Sequence, residues 1–287
     1  MIINRPGSRR EFLKTLGLCT AAGAVLPVFA AERKWQMRLA TSSIQFKQLT
    51  LEETCQQIAQ LGFEAIDIWD KFDGCPHLEQ AEQLGGAGLK ELLTRHHLKL
   101  SAFTVYASSY ERYAELLGNA GGGVAVRASE YGSFKPEELS SRMNQFHEKL
   151  KPLIELAEKH NGHLAIENHG DALLNSVDSF KAFVDLNKSP RVGIALAPYH
   201  LQAIKASVPE VIRLCGKQLF FFYAWQKADG FEQLPGEGPT DFKPWLEALA
   251  DIRYERHVNP FMHGHPAEEP MVAALAKSRD YLRRLTL

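Results

Sequence analysis

Five apolar runs in this 287-residue chain end on residues able to move protons or hold ligands. They end as Asp67-Ile68-Trp69-Asp70, Glu167-Asn168-His169-Gly170-Asp171, Ala197-Pro198-Tyr199-His200, Tyr223-Ala224-Trp225-Gln226 and Met262-His263-Gly264-His265-Pro266. Glu167 is the strongest candidate. It closes the run His163-Leu164-Ala165-Ile166, where a carboxylate without a partner would be costly to bury. Carboxyl and imidazole groups together are the usual means of general acid–base catalysis. If the run ends share one face, His169, His200, His263 and His265 can all reach one cavity. His96, His97, His147 and His160 fall instead within helical stretches and read as surface or hydrogen-bonding residues.

The elements that would gather these ends alternate along the chain. Strand-like runs at 37–44, 64–70, 99–106, 123–128, 163–167, 191–197, 218–224 and 257–262 each precede an amphipathic stretch. The first helix opens on a capping box, Thr50-Leu51-Glu52-Glu53, and Gly62 stops it. Later helices are expected at 84–97, 110–117, 136–161, 177–186, 208–215, 242–252 and 268–285. The long one starts on Pro136 with Glu137 and Glu138 behind it, as the helix dipole favours. Eight strand–helix units of about thirty residues imply parallel strands with crossover helices. That count fits a single-domain (β/α)8 barrel, whose site lies at the carboxyl ends of the strands. An open doubly wound sheet would place a glycine-rich phosphate turn after the first strand, where Ser42-Ser43-Ile44-Gln45 stands instead. Gly121-Gly122-Gly123 precedes a strand and reads as a turn.

Leu61-Gly62-Phe63-Glu64-Ala65-Ile66-Asp67-Ile68, Ile166-Glu167-Asn168-His169 and the segment from Gly193 to His200 occur in an order and spacing that resembles the xylose isomerase-like TIM barrels. This is the sugar isomerase/epimerase superfamily, and the resemblance spans residues 31–287. It implies proton transfer beside a sugar carbonyl, assisted by a divalent metal held by Glu, Asp, His and Glu after strands five to eight. Carried over, Glu167 matches the first ligand. The family's Asp-Pro-Gly-His reads Ala197-Pro198-Tyr199-His200, strand seven offers Tyr223 and Gln226, and the last Glu falls at or near Met262 and His263. The resemblance therefore implies either a rewired metal site or a lost one. A rewired site would use Glu167, His200 and His263, and this nitrogen-rich set suits Zn, Fe, Ni or Co, with Mn as a further candidate. In a lost site the histidines would serve as bases or sugar-binding groups. Glu167 and His263 are the expected catalytic groups. Trp69, His169, Tyr223, Gln226 and His265 are the expected substrate-binding groups, and Trp69, Trp225, Phe103 and Tyr106 suit either a core or a sugar-stacking face.

The amino terminus carries a different kind of instruction. Ser8-Arg9-Arg10-Glu11-Phe12-Leu13-Lys14, an apolar run from Leu16 to Phe29 and small residues Val28 and Ala30 read as a cleavable twin-arginine signal over 1–30. Its apolar run is too short for a permanent span. The expectation is recognition by the twin-arginine translocase, export as a folded protein to the periplasm, and no stable membrane anchor. Of 33 basic and 34 acidic residues, cleavage removes four bases (Arg5, Arg9, Arg10, Lys14) and one acid (Glu11), leaving 29 and 33 and a net charge of −4. That balance argues against nucleic acid as partner, and so against an endonuclease on this fold. The remaining cysteines, Cys55, Cys75 and Cys215, form no disulfide framework, though one bridge stays open. The resemblance and export together imply an isomerase or epimerase on an unphosphorylated sugar or glycoside. The alternatives are a keto-glycoside lyase or hydratase, and a carbohydrate-binding relative without catalysis.

Overall fold

The computed structural model describes residues 34–132, 135–264 and 266–285. The expected signal at 1–30, with Arg9 and Arg10, and the expected ligand His265 lie outside the described residues. Eight parallel strands follow one another around a closed barrel: β1 Arg38–Ser42, β2 Ala65–Trp69, β3 Lys99–Thr104, β4 Val124–Ala128, β5 His163–Glu167, β6 Val192–Leu196, β7 Leu219–Ala224 and β8 His257–Pro260. β1 pairs with β2 (Thr41 beside Ile66) and with β8 (Arg38 beside His257), which closes the ring.

The period-two alternation of each strand divides its residues between two cores. Leu39, Ile66, Ile68, Leu164, Ile166, Val192 and Val258 face outward and pack under the helices. Trp69, Ala102, Val124, Val126, Ala165, Ala195, Phe221, Tyr223 and Phe261 fill the barrel interior. Size is balanced across that interior: alanines on β3, β5 and β6 leave room for the rings of β7. Gly193 shows how tight the fit is. A Cβ there would stand 2.5 Å from the Phe220 ring and 2.4 Å from the Gln218 carbonyl oxygen.

The helices are α1 Leu51–Gln60, α2 His77–Arg95, α3 Tyr110–Asn119, α4 Leu139–Lys159, α5 Val177–Leu186, α6 Pro198–Ala203, α7 Val208–Cys215, α8 Lys243–Asp251 and α9 Glu268–Arg284. Thr50 caps α1 through the expected box, with its backbone N–H donating to Glu53 Oε2 (2.8 Å) and Glu53 N donating to Thr50 Oγ1 (3.3 Å). Gly62 follows that helix at φ 76°. Two elements differ from expectation. α2 starts seven residues earlier than expected, at His77, because the chain continues through Gly85, whose non-helical φ of 67° breaks the run. α6 is a six-residue turn opened by Pro198 directly after β6, and it carries Tyr199 and His200. Cys55, Cys75 and Cys215 are free and buried, and burial pushes the thiols of Cys55 and Cys75 up to about 12. Among the described residues no helix is long and apolar enough to cross a membrane.

Candidate active site

Glu167 is the last residue of β5 and faces the barrel interior, only 8% exposed. Burial, and then the neighbouring charge of Asp67, hold its carboxyl well above the usual carboxylate range. Asp67 sits on β2 with no exposure. It accepts from Ser42 Oγ (2.7 Å), Trp69 Nε1 (2.6 Å) and Thr104 Oγ1 (2.8 Å). Asn259 Nδ2 in turn donates to Ser42 Oγ (2.9 Å). Three donors favour the charged form, yet desolvation outweighs them and raises the Asp67 carboxyl to about 7. Tyr223, on β7 and 1% exposed, lies in the field of both acids. Its hydroxyl, pushed well above its ordinary range by burial and by these charges, makes no hydrogen bond of normal geometry. Two acids and a phenol therefore lie within one another's field in buried surroundings, and the Glu167 carboxyl is held toward its neutral form.

A second group of side chains forms the opposite wall. The His169 and His200 rings lie 4.2 Å apart, centroid to centroid. Asp171 N donates to His169 Nδ1 (3.4 Å), so the neutral ring carries its proton on Nε2. Burial, then the His169 and His263 rings, depress His200 to about 3, which leaves a neutral imidazole. His263 packs its ring against Trp225 (5.0 Å) and Phe261 (4.9 Å) and is lowered chiefly by desolvation. The remaining wall is aromatic. Trp69 stacks on Phe261 (5.2 Å, 12° between planes), and Tyr199 stacks on Trp225 (4.4 Å, 15°). The enclosed space is narrow, about 70 Å³, with Phe72 and Tyr131 at its rim. Its lining contains no lysine or arginine.

The backbone around this pocket is fixed by side-chain amides. Asn168 bridges β5 and β6, its Nδ2 donating to Ala197 O (3.1 Å) and its Oδ1 accepting from Ala197 N (2.7 Å). Gln233 ties the loops after β7 and β8 together. Its Oε1 accepts from Trp225 Nε1 (2.8 Å) and His263 N (3.1 Å), and its Nε2 donates to His263 O (3.0 Å).

The barrel thus brings Trp69, Glu167, His169, His200, Tyr223 and His263 to one cavity. Gln226 is not among them. Its amide donates to Leu234 O (2.9 Å) and accepts from Thr240 N (2.8 Å), so it shapes a loop. Asp70 likewise serves backbone and loop, accepting from Phe72 N, Ala107 N and Ser108 Oγ. Phe103 packs outward under the helices. Asp67 is the acid that stands in a quoted run end but receives no role there. Its signal lay in alternation: between outward Ile66 and Ile68, it must point into the barrel.

The profile of the xylose isomerase-like TIM barrel family matches residues 55–285. The chain belongs to that family. Its fold is similar to that of a 3-keto-D-glucoside 4-epimerase from E. coli in its apo form (TM-score 0.69, 18% identity, 87% of this chain and 100% of that one). It is also similar to a D-psicose 3-epimerase studied with D-fructose (TM-score 0.70, 17% identity, 87% and 99%). A third similar structure is the IolI protein with a bound zinc atom (TM-score 0.66, 18% identity, 87% and 98%). No curated protein matches the sequence at a significant level.

One relative's zinc invites a fit test on this chain. Glu167, His200 and His263 line one cavity, but among the described residues no three His, Cys, Asp or Glu side chains come together as ligands for one ion. Ala197 occupies the position where the family resemblance expects Asp, and Tyr223 faces Glu167 from β7. Among the described residues the donor set as arranged does not fit a divalent metal.

Proposed function

We propose that this protein is an exported enzyme that moves protons beside the carbonyl of an unphosphorylated sugar or keto-glycoside. The observation that carries the reading is a buried carboxyl, Glu167, in an aromatic-walled cavity that it shares with His200 and His263. Stacked aromatic rings offer the flat apolar faces that pyranose rings pack against. Glu167 gives its proton to the substrate's carbonyl oxygen as the enol forms, and the Tyr223 hydroxyl donates a hydrogen bond to that oxygen, in a dry site where such interactions are strong. His200 or His263, neutral at pH 7, removes the proton from the adjacent carbon. Return of the proton to the other face of that carbon gives epimerisation.

The twin-arginine motif and the absence of any cationic side chain from the cavity lining both support an unphosphorylated substrate. A cavity of 70 Å³ holds about two waters, so admitting a sugar ring requires the rim side chains Phe72 and Tyr131 to swing outward. The paired acid and base favour a second reading as well. If Glu167 gives its proton to a leaving oxygen on the next carbon, the same geometry performs elimination from a keto-glycoside.

Glu167→Gln tests both readings, since glutamine keeps the shape and the donor but cannot transfer a proton. Turnover of a keto-glycoside should fall by roughly 10²- to 10⁴-fold with the thermal midpoint unchanged. Near-normal turnover would place the chemistry elsewhere. Incorporation of solvent deuterium beside the carbonyl, with or without release of an aglycone, separates elimination from epimerisation.

A further inference from the structure

The catalytic cavity has a neighbour. A second cavity of about 290 Å³ opens at the same end of the barrel, between the loop after β3, the first turn of α3 and the end of β4. The two cavities share one wall, made of Tyr106, Ala128 and Tyr131. Tyr106 meets Trp69 (5.4 Å) and Phe72 (5.8 Å) edge to face, and Tyr131 meets His169 (5.7 Å) in the same way. Ala128 adds only a methyl to that wall. Tyr131 is 62% exposed. Its outward swing, which the entry of a sugar ring into the catalytic cavity already requires, would open one cavity into the other.

The second lining differs in kind. To the two tyrosines it adds Ser109, Glu111 and Arg127. Among the described residues the side chains of Glu111 and Arg127 make no hydrogen bond and no ion pair. The Ser109 hydroxyl stands at the start of α3 without capping it. The Tyr106 hydroxyl is buried and unpartnered, which is costly unless something else satisfies it. The loop that carries Tyr106 and Ser109 is held in place, because Asp70 accepts from Ala107 N (2.9 Å) and from Ser108 Oγ. A guanidinium and a carboxylate that line one space without pairing suit a neutral ligand rich in hydroxyls. Hydroxyls accept from the one and donate to the other, whereas a lone anion or cation is repelled by one of them. The volume of about 290 Å³ is close to the roughly 300 Å³ at which ligand pockets begin.

We propose that this cavity is the subsite for a second sugar ring, so that the substrate is a disaccharide: one ring reacts beside Glu167, and the other crosses the shared wall to lie against Tyr106, Glu111 and Arg127. The proposal rests on the reading of the catalytic cavity as a sugar site. Tyr106 and Tyr131 offer their rings to the apolar faces of the sugar near the glycosidic bond. Arg127 and Glu111 then read hydroxyls of the second ring through charge-assisted hydrogen bonds.

The test is titration calorimetry of the full chain with glucose, maltose and cellobiose. At least one disaccharide should bind about tenfold more tightly than glucose, as one or two added hydrogen bonds would give. Arg127→Met, with an unchanged thermal midpoint, should erase that advantage. Should that variant fail to fold, Glu111→Ala, on the exposed first turn of α3, carries the same test. Equal affinity for one ring and two, an advantage that survives the substitution, tighter binding of glucose 6-phosphate than of either disaccharide, or binding of none of these sugars would overturn the proposal. The catalytic reading is judged separately. Solvent deuterium incorporation into a keto-glycoside together with equal affinities refutes only the subsite. A disaccharide advantage that Arg127→Met erases, without deuterium incorporation, refutes only the chemistry.

Discussion

Asp67→Asn should make this protein more stable above neutral pH, although it removes a buried, triply hydrogen-bonded carboxylate. In the fold the Asp67 carboxyl titrates near 7, against an ordinary value of 3.8. A raised acid leaves stability fully present below the unfolded value, and loses it progressively as pH climbs from about 4 through 7. Three units at about 1.36 kcal/mol each give a ceiling of about 4 kcal/mol above pH 7. Asparagine resembles the neutral acid. Its carbonyl can take the Oδ2 position and accept from Ser42 and Trp69, while its amide meets Thr104 Oγ1, which can turn to accept. That exchange costs about 1 kcal/mol of hydrogen bonding. The net expectation is a gain of about 3 kcal/mol at pH 8, or roughly 6 to 12 °C in midpoint, and a small loss at pH 4.5. Urea unfolding of both proteins at pH 4.5, 6, 7 and 8 measures this. The buried histidines, which act in the opposite sense, cancel in the difference. A variant equally destabilised at every pH would show that Asp67 is ionised throughout and held by its three donors. The same variant checks the coupling to Glu167. Without the Asp67 charge, proton loss from Glu167 becomes easier, so the alkaline limb of the pH–rate profile should move to lower pH while the KM changes little.

Two further outcomes follow from packing and donor geometry. Gly193→Ala drives a Cβ to 2.5 Å from the Phe220 ring and 2.4 Å from a backbone oxygen, so the barrel must shift there. Urea unfolding should show a loss of about 1 to 3 kcal/mol, and an unchanged midpoint would mean the packing there is looser than drawn. Exhaustive dialysis against EDTA should leave turnover intact, because the ligands do not converge; loss of turnover restored by added zinc would revive the Glu167, His200 and His263 site.

How much of this was legible in the sequence depends on which periodicity carries the information. The barrel was legible because eight alternations of strand and helix signal force parallel strands, and β5, α5 and α7 begin and end where the residues say. The expected helix at 84–97 contains Gly85 and Gly86 and misses the residues before them, because α2 runs from His77 and only Gly85 leaves helical geometry. The gathering of side chains at one cavity was legible where they stand at or just after a strand's end, as with Glu167, His200 and His263. It was illegible where a residue's partners come from other strands. Gln226 stands at an equally suggestive position, but its amide is taken by Leu234 and Thr240, and nothing in the residues beside it says so.

Asp67 shows the deeper reason. Two residues of sequence separate it from Trp69, which marks the pair as one face of a strand. What makes it matter is Glu167, a hundred residues away across the barrel, and Tyr223 beyond that. A carboxyl that is only buried is a cost to the fold. A buried carboxyl that also feels a neighbouring acid holds its proton more firmly, and for Glu167 that neighbour is Asp67. Where the family resemblance expects a cation to gather negative charge, this chain keeps Glu167, loses the Asp at Ala197, and sets a phenol and a second acid nearby. In the proposed reaction a proton held by Glu167 would take the part that a metal's charge plays elsewhere, passing to the substrate's carbonyl oxygen.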